Sequence, residues 1–179
     1  VDQGGSTSFF TKLLAPQALL AFELSDQPVA TVMDFLAKHD PGGKVAIHWG
    51  VDQSDCVEVP RLVDATFKGK SLDLVIDDAS HRPIPTTATF EMLFPRLRPG
   101  GLYIIEDWSW NHLSERNVNR AIISNPDGNT AKLVMAAVTS KADFEVPMSI
   151  LICQLVVAAG RNPDWITEVR ATDGFCEIR

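Results

Sequence analysis

Leu72-Asp73-Leu74-Val75-Ile76-Asp77-Asp78-Ala79-Ser80-His81 is a short apolar run that ends in two carboxylates and a nearby histidine. Its length and β-branched content fit a buried strand. A second run, Gly101-Leu102-Tyr103-Ile104-Ile105, ends in Glu106 and Asp107. Two buried strands that both end in acid pairs point to a site beyond the carboxyl edge of a parallel sheet.

The sequence on either side repeats the same unit. Ser6 or Thr7 can cap a helix through Leu14, with Phe9, Phe10, Leu13 and Leu14 at helical spacing. Leu19 to Leu24 reads as a strand ending at Glu23. Ser25 or Asp26 then caps a helix with Pro28 in its first turn. Lys44 to Trp49 is the next strand, and Gly50 to Asp55 its exit loop. A helix over 57–67, the strand at 72–76, a helix from Pro83 through Leu93 and a turn at Pro99-Gly100-Gly101 lead to the strand at 102–106. Strands alternating with helices on short connections predict an α/β, Rossmann-like, doubly wound and mostly parallel sheet.

Beyond Asp107 the pattern loosens. Trp108 to Ser114 reads as a loop, and Val118 to Ile123 and Thr130 to Val138 as helices. Ser149 to Ala159 reads as one or two buried strands, and 163–179 is open between a short helix and a strand.

The strand ends carry the chemistry. Gly4 and Gly5 form a turn into a helix whose free amides favour an anion or carboxylate. About twenty residues on, Glu23 ends the next strand, where a carboxylate can accept both hydroxyls of a ribose. Asp52 follows one strand later. The pairs Asp77/Asp78 and Glu106/Asp107 supply hard oxygen donors whose mutual repulsion a cation would relieve. Mg²⁺ suits them, with Mn²⁺ or Ca²⁺ as alternatives. The competing reading has one acid of each pair capping a helix or pairing with Arg82 or Arg116. His81, on the same exit loop, can serve as a general base; His112 is a second candidate.

The bulk composition narrows the partners. The chain has 179 residues, which fits one domain. A net charge of −7, with sixteen Lys and Arg spread thinly and no basic run, argues against a nucleic-acid partner. The longest apolar run, Met148 to Ala159, contains Gln154 and is too short to cross a bilayer, so no membrane partner is expected. Three cysteines without metal spacing read as free thiols in a reducing, cytoplasmic setting.

The segment LDLVIDDASH followed by TFEMLFPRLRPGGLYIIEDW resembles the class I, S-adenosylmethionine-dependent, metal-dependent O-methyltransferases. These act on sugar hydroxyls of macrolide and aminocoumarin antibiotics, and some relatives are labelled cephalosporin hydroxylases. The likeness is close over 72–108 and looser from Val1 to about Gly160. It implies S-adenosyl-L-methionine and Mg²⁺ as cofactors and a small-molecule hydroxyl as acceptor. Asp78, Glu106 and Asp107 become the metal ligands, and His81, beside Asp78, the catalytic base. Gly4, Gly5 and Ser6 become the loop that holds the methionine part of the cofactor. Glu23 matches the ribose acid, Asp52 and Gln53 lie where adenine is contacted, and Asp77 lies between cofactor and metal. Independently of the resemblance, Trp108, Trp110 and His112, on the loop leaving the second acid pair, are candidates for a wall around the acceptor, with core packing of one Trp as the alternative.

Ala79 stands where that family commonly has glycine, a change tolerated if φ stays negative. The strand that normally leads into the glycine turn would be represented by Val1 alone, so a domain shortened at its N-terminus is expected. Such a sheet leaves instability, a homo-oligomer or inactivity as outcomes. The other readings are a non-catalytic remnant and a nicotinamide-dependent oxidoreductase. The second lacks a full G-x-G-x-x-G.

Overall fold

A computed structural model describes residues 4–109 and 148–179. These fall into two compact units, one drawn from 4–73 and 88–98, the other from 74–87, 99–109 and 148–179.

In the first unit, helix α1 (Gly5–Leu14) leads to strand β1 (Leu19–Glu23), helix α2 (Ala30–His39), strand β2 (Val45–Trp49) and helix α3 (Glu58–Phe67). β1 and β2 are parallel, with Leu19 opposite Val45 and Glu23 opposite Trp49. The pairing continues past the strand ends, where Val51 N–H donates to the Glu23 carbonyl and Gly50 N–H to that of Ser25. Both exit loops therefore leave at one edge, as the sequence predicts.

The helix starts differ from expectation. α1 begins one residue before Ser6, on Gly4 at φ 80°, and no side chain caps it. Gly4 lies so close to α2 that a Cβ there would come within 2.5 Å of the Val32 Cβ. This tight approach, rather than a hydroxyl cap, sets the start. α2 begins after Val29, not at Ser25 or Asp26. Those two residues are used in a turn: Ser25 N–H donates to Glu23 Oε1, and Gln27 N–H to Ser25 Oγ. Short polar side chains that bond their own backbone favour turns over helix entry. α3 follows the predicted span. The Asp55 carboxylate accepts the Val57 and Glu58 amides at its start, which holds the acid below its ordinary range. Val59, Leu62 and Val63 are buried on one face of α3. Each such side chain contributes about 1.5–3 kcal/mol on burial.

The second unit holds most of a four-stranded sheet. β3 (Leu72–Asp77) is followed by α4 (Pro83–Leu93), a 3₁₀ turn at Phe94–Arg96 and β4 (Leu97–Glu106). Helix α5 (Met148–Arg161) then precedes β5 (Val169–Ala171) and β6 (Phe175–Ile178), in the sheet order β3-β4-β6-β5. The segment 163–179, left open by sequence, thus contains the antiparallel hairpin β5–β6, and β6 also runs antiparallel to β4. Tyr103, Ile105, Cys176 and Ile178 alternate along β4 and β6 and are essentially fully buried.

Two expectations fail here. Residues 148–161 form a helix, not a strand. Met148, Leu151, Ile152 and Leu155 are its buried residues, a period of three and four that the continuous apolar run conceals, since Ile150, Val156 and Val157 are exposed. The Pro99-Gly100-Gly101 turn lies inside β4, with Gly100 taking the bend at φ 73°. The readings at 118–123 and 130–138 lie outside the described residues. Among the described residues, no helix is long and apolar enough to cross a membrane.

Candidate active site and metal centre

β3 and β4 are neighbours in the sheet, and residues just beyond their ends meet in one cluster. Asp78, His81 and Asp107 each offer a ligand atom within 4.8 Å of the others. Mg–O bonds of about 2.0–2.1 Å place opposite ligands roughly 4.2 Å apart, and Ca–O bonds place them roughly 5 Å apart. The three side chains are therefore near coordination distance already. Asp78 and Asp107 are exposed and His81 half-buried, so the cluster is open to solvent. His81 Nε2 is 3.8 Å from Asp78 Oδ1, too long for a hydrogen bond but close enough for a protonated imidazole to feel the charge.

Glu106, the last residue of β4, offers no atom to that threefold grouping, yet it senses it. Burial raises its carboxyl above the ordinary value, and the charges of Asp78 and Asp107 raise it further, with His81 opposing. A carboxylate disfavoured by two others is what a divalent cation would relieve. Two of the three donors are carboxylate oxygens beyond adjacent strand ends, with the Glu106 carboxylate beside them and one imidazole nitrogen from His81, so the carboxylates fit Mg²⁺ or a similar ion.

Asp77 points to a different task. It is buried, and its Oδ2 accepts the Tyr103 hydroxyl at 3.2 Å. Tyr103 is the chain's single tyrosine and has no exposed surface. Burial, reinforced by the Asp77 charge, pushes its phenol well above the usual value. The acid pair is thus split by strand alternation: one carboxylate faces inward to a tyrosine, the next outward to the cluster. Sequence reasoning missed Tyr103, although a lone tyrosine in the strand that also ends in acids was the available signal. Ala79 is absent from the positive-φ positions, so its replacement of glycine needs no strained backbone.

Apart from Asp77, the residues predicted to hold a cofactor lie in the first unit. Gly4 and Gly5 open α1, whose first turn holds no acid; Ser6 sits inside the helix, exposed, rather than before it. Glu23 ends β1 half-buried, with Oε1 accepting the Ser25 amide at 3.0 Å. Asp52 accepts the Ser54 hydroxyl and amide, which hold its carboxyl below the ordinary range. Gln53 Nε2 donates to Thr89 Oγ1 at 2.9 Å, and that hydroxyl donates to the Gln53 carbonyl at 3.1 Å. This link to α4 was not foreseen, because Thr89 lies thirty-six residues away. Trp108 follows the cluster and donates its indole N–H to the Thr172 carbonyl. Trp110, His112 and Arg116 lie outside the described residues.

No family model matches the chain. Over 56 residues, 31% of this chain, it is 48% identical to the 8-demethyl-8-alpha-L-rhamnosyl tetracenomycin-C 2'-O-methyltransferase of Streptomyces olivaceus. It is 57% identical over 56 residues to the mycinamicin VI 2''-O-methyltransferase of Micromonospora griseorubida. Over 46 residues it is 57% identical to the demethylmacrocin O-methyltransferase of Streptomyces fradiae. The matched segments span only 14%, 13% and 12% of those relatives' lengths. Among solved structures, the chain resembles the methyltransferase MycE of the mycinamycin pathway, in complex with Mg, SAH and mycinamycin VI. The TM-score is 0.52 at 18% identity, with 97% of this chain and 48% of that one covered. The chain thus shares an α/β, Rossmann-like fold with that methyltransferase, and just under a third of it is close in sequence to named O-methyltransferases.

Proposed function

We propose that the chain is the catalytic part, folded as one domain, of a metal-assisted, S-adenosylmethionine-dependent O-methyltransferase. Its acceptor is a hydroxyl on a small glycosylated molecule, and it acts in the cytoplasm. The observation that carries this reading is the convergence of Asp78, His81 and Asp107 at the ends of two neighbouring strands, with Glu106 beside them. The names of the similar proteins, most of which specify O-methylation, support the reaction type.

Asp78, Glu106 and Asp107 would hold Mg²⁺, which would supply a Lewis acid to lower the pKa of an acceptor hydroxyl and orient it. His81 Nε2 takes the hydroxyl proton as the oxygen bonds to the methyl carbon, whose bond to the sulfonium sulfur breaks so that S-adenosylhomocysteine leaves. Gly4, Gly5 and Ser6, with the free amides at the start of α1, bind the methionine carboxylate of the cofactor. Glu23 accepts the ribose hydroxyls, and Asp52 with Gln53 borders the adenine. Asp77 has a carboxylate engaged by Tyr103, so its contribution at the cofactor side is to hold the end of β3 in place. Proximity of two bound reactants supplies much of the remaining rate.

Calorimetric titration with S-adenosylmethionine, with and without Mg²⁺, tests the reading. Saturable cofactor binding together with Mg²⁺-dependent methylation of a sugar hydroxyl supports it. A chain that takes up no cofactor even at millimolar concentration refutes it.

A further inference from the structure

The loop after β4 begins with Asp107, and the turn between β5 and β6 receives it residue by residue. Asp107 N–H donates to the Gly174 carbonyl at 2.7 Å. Trp108 Nε1–H donates to the Thr172 carbonyl at 2.8 Å. The Ser109 hydroxyl donates to the Asp173 carbonyl. Three consecutive residues of one loop thus meet three consecutive carbonyls of one turn. The strand register explains why: Glu106 is opposite Phe175, so the ladder ends where the turn begins, and 107–109 run across it.

The turn is braced before it meets the loop. Thr172 N–H and Oγ1–H both donate to the Phe175 carbonyl, and Phe175 N–H donates to Thr172 Oγ1. Asp107 also needs bracing, because its φ of 51° is left-handed, a conformation an unrestrained aspartate would leave. Ser109 is buried, so its hydroxyl has little access to water as an alternative partner.

We propose that the Thr172–Gly174 turn is a clamp that sets the position of the Asp107 carboxylate, with Trp108 as a positioning residue acting through its indole N–H. This rests on the assignment of Asp78 and Asp107 to a divalent ion. The turn lies more than sixty residues away in sequence, so it would couple the C-terminal hairpin to metal affinity. Groups that orient a metal ligand typically change affinity by about 10- to 100-fold when removed.

Mn²⁺ is the probe, with free ion counted by electron paramagnetic resonance during titration of the whole chain. Trp108→Phe keeps a ring and removes the N–H. It should weaken Mn²⁺ binding about tenfold while the circular dichroism spectrum stays unchanged. Ser109→Ala should shift affinity in the same direction and decides the matter if Trp108→Phe fails to fold. A packing role alone would lower the melting temperature and leave the Mn²⁺ dissociation constant where it was. If Asp107→Asn loses binding while both clamp variants bind like the parent, the clamp is wrong and the metal site stands. A parent chain that binds no Mn²⁺ overturns the metal assignment and the clamp together.

Discussion

Replacing Gly4 by alanine tests the geometry of the glycine turn with a magnitude that can be worked out. At φ 80° a residue with a Cβ is in the left-handed region, which costs about 1–2 kcal/mol. The new Cβ would stand 2.5 Å from Val32 Cβ and 3.1 and 3.2 Å from its two methyls. Carbon atoms pack comfortably at roughly 3.5–4.0 Å. The nearest atom is not a flexible tip: Val32 is 1% exposed, and its Cβ is fixed by the backbone of α2. Helix and turn must therefore separate, at a typical overpacking cost of about 1–3 kcal/mol. The sum, roughly 2–5 kcal/mol, is a large share of an ordinary domain's stability of about 5–15 kcal/mol. Urea unfolding should show the midpoint falling at unchanged slope. The two parts separate in a double-mutant cycle with Val32→Gly, which removes the obstructing carbons but not the φ penalty. A coupling energy of about 1–3 kcal/mol is expected between positions 4 and 32. Loss of less than about 1 kcal/mol in Gly4→Ala, or no coupling, would show that the close approach described here is not the one in solution.

Three further outcomes follow. His81→Ala should lower methyl transfer by about 10²–10⁴-fold with cofactor affinity nearly unchanged, and retained turnover would remove His81 from the role of base. Glu106 binds its proton more tightly folded than unfolded, so its ionisation weakens the fold progressively as pH rises above the ordinary value of 4.5. Glu106→Gln should thus be more stable than the parent at about pH 8 without metal, and the difference should vanish near about pH 4; a pH-independent difference contradicts the assignment. Tyr103→Phe removes a buried hydrogen bond to a carboxylate, worth about 1.5–3 kcal/mol. Because Asp77 keeps other interactions, the lower end is expected, and a neutral variant would mean the hydroxyl is not needed.

Where local chemistry and tertiary structure agree, the sequence was readable. Leu72–Asp77 and Val45–Trp49 are apolar, β-branched and bounded by turn residues, and they are strands. Asp78, His81 and Asp107 were placed just beyond two strand ends because a strand end fixes position, but the acid pairs did not reveal that His81, and not Glu106, shares the grouping of three. Met148–Arg161 failed because its apolar residues fill more than one helical face, so period alone could not separate helix from strand. The starts of α1 and α2 failed for a different reason. Ser6, Ser25 and Asp26 are good caps in isolation, but the close approach of Gly4 to Val32 and the turn at 25–27 took precedence. The division of labour between Asp77 and Asp78 needs the direction of each side chain, which a run of two aspartates does not reveal.

Backbone conformation adds an argument for function that no residue pattern contains. Four described residues other than glycine have positive φ: Ala15, Lys68, His81 and Asp107. Ala15 and Lys68 end α1 and α3, where a left-handed residue is an ordinary way to stop a helix. His81 and Asp107 end no helix, and both belong to the grouping of three that could hold a metal. Histidine and aspartate tolerate this region better than most side chains, but glycine or asparagine would occupy it with less strain. Neither was used. A residue that carries a backbone penalty where a cheaper one would fold is being kept for its side chain. An imidazole and a carboxylate, held at 53° and 51° within reach of one another, are therefore better explained by chemistry at the strand ends than by the needs of the fold.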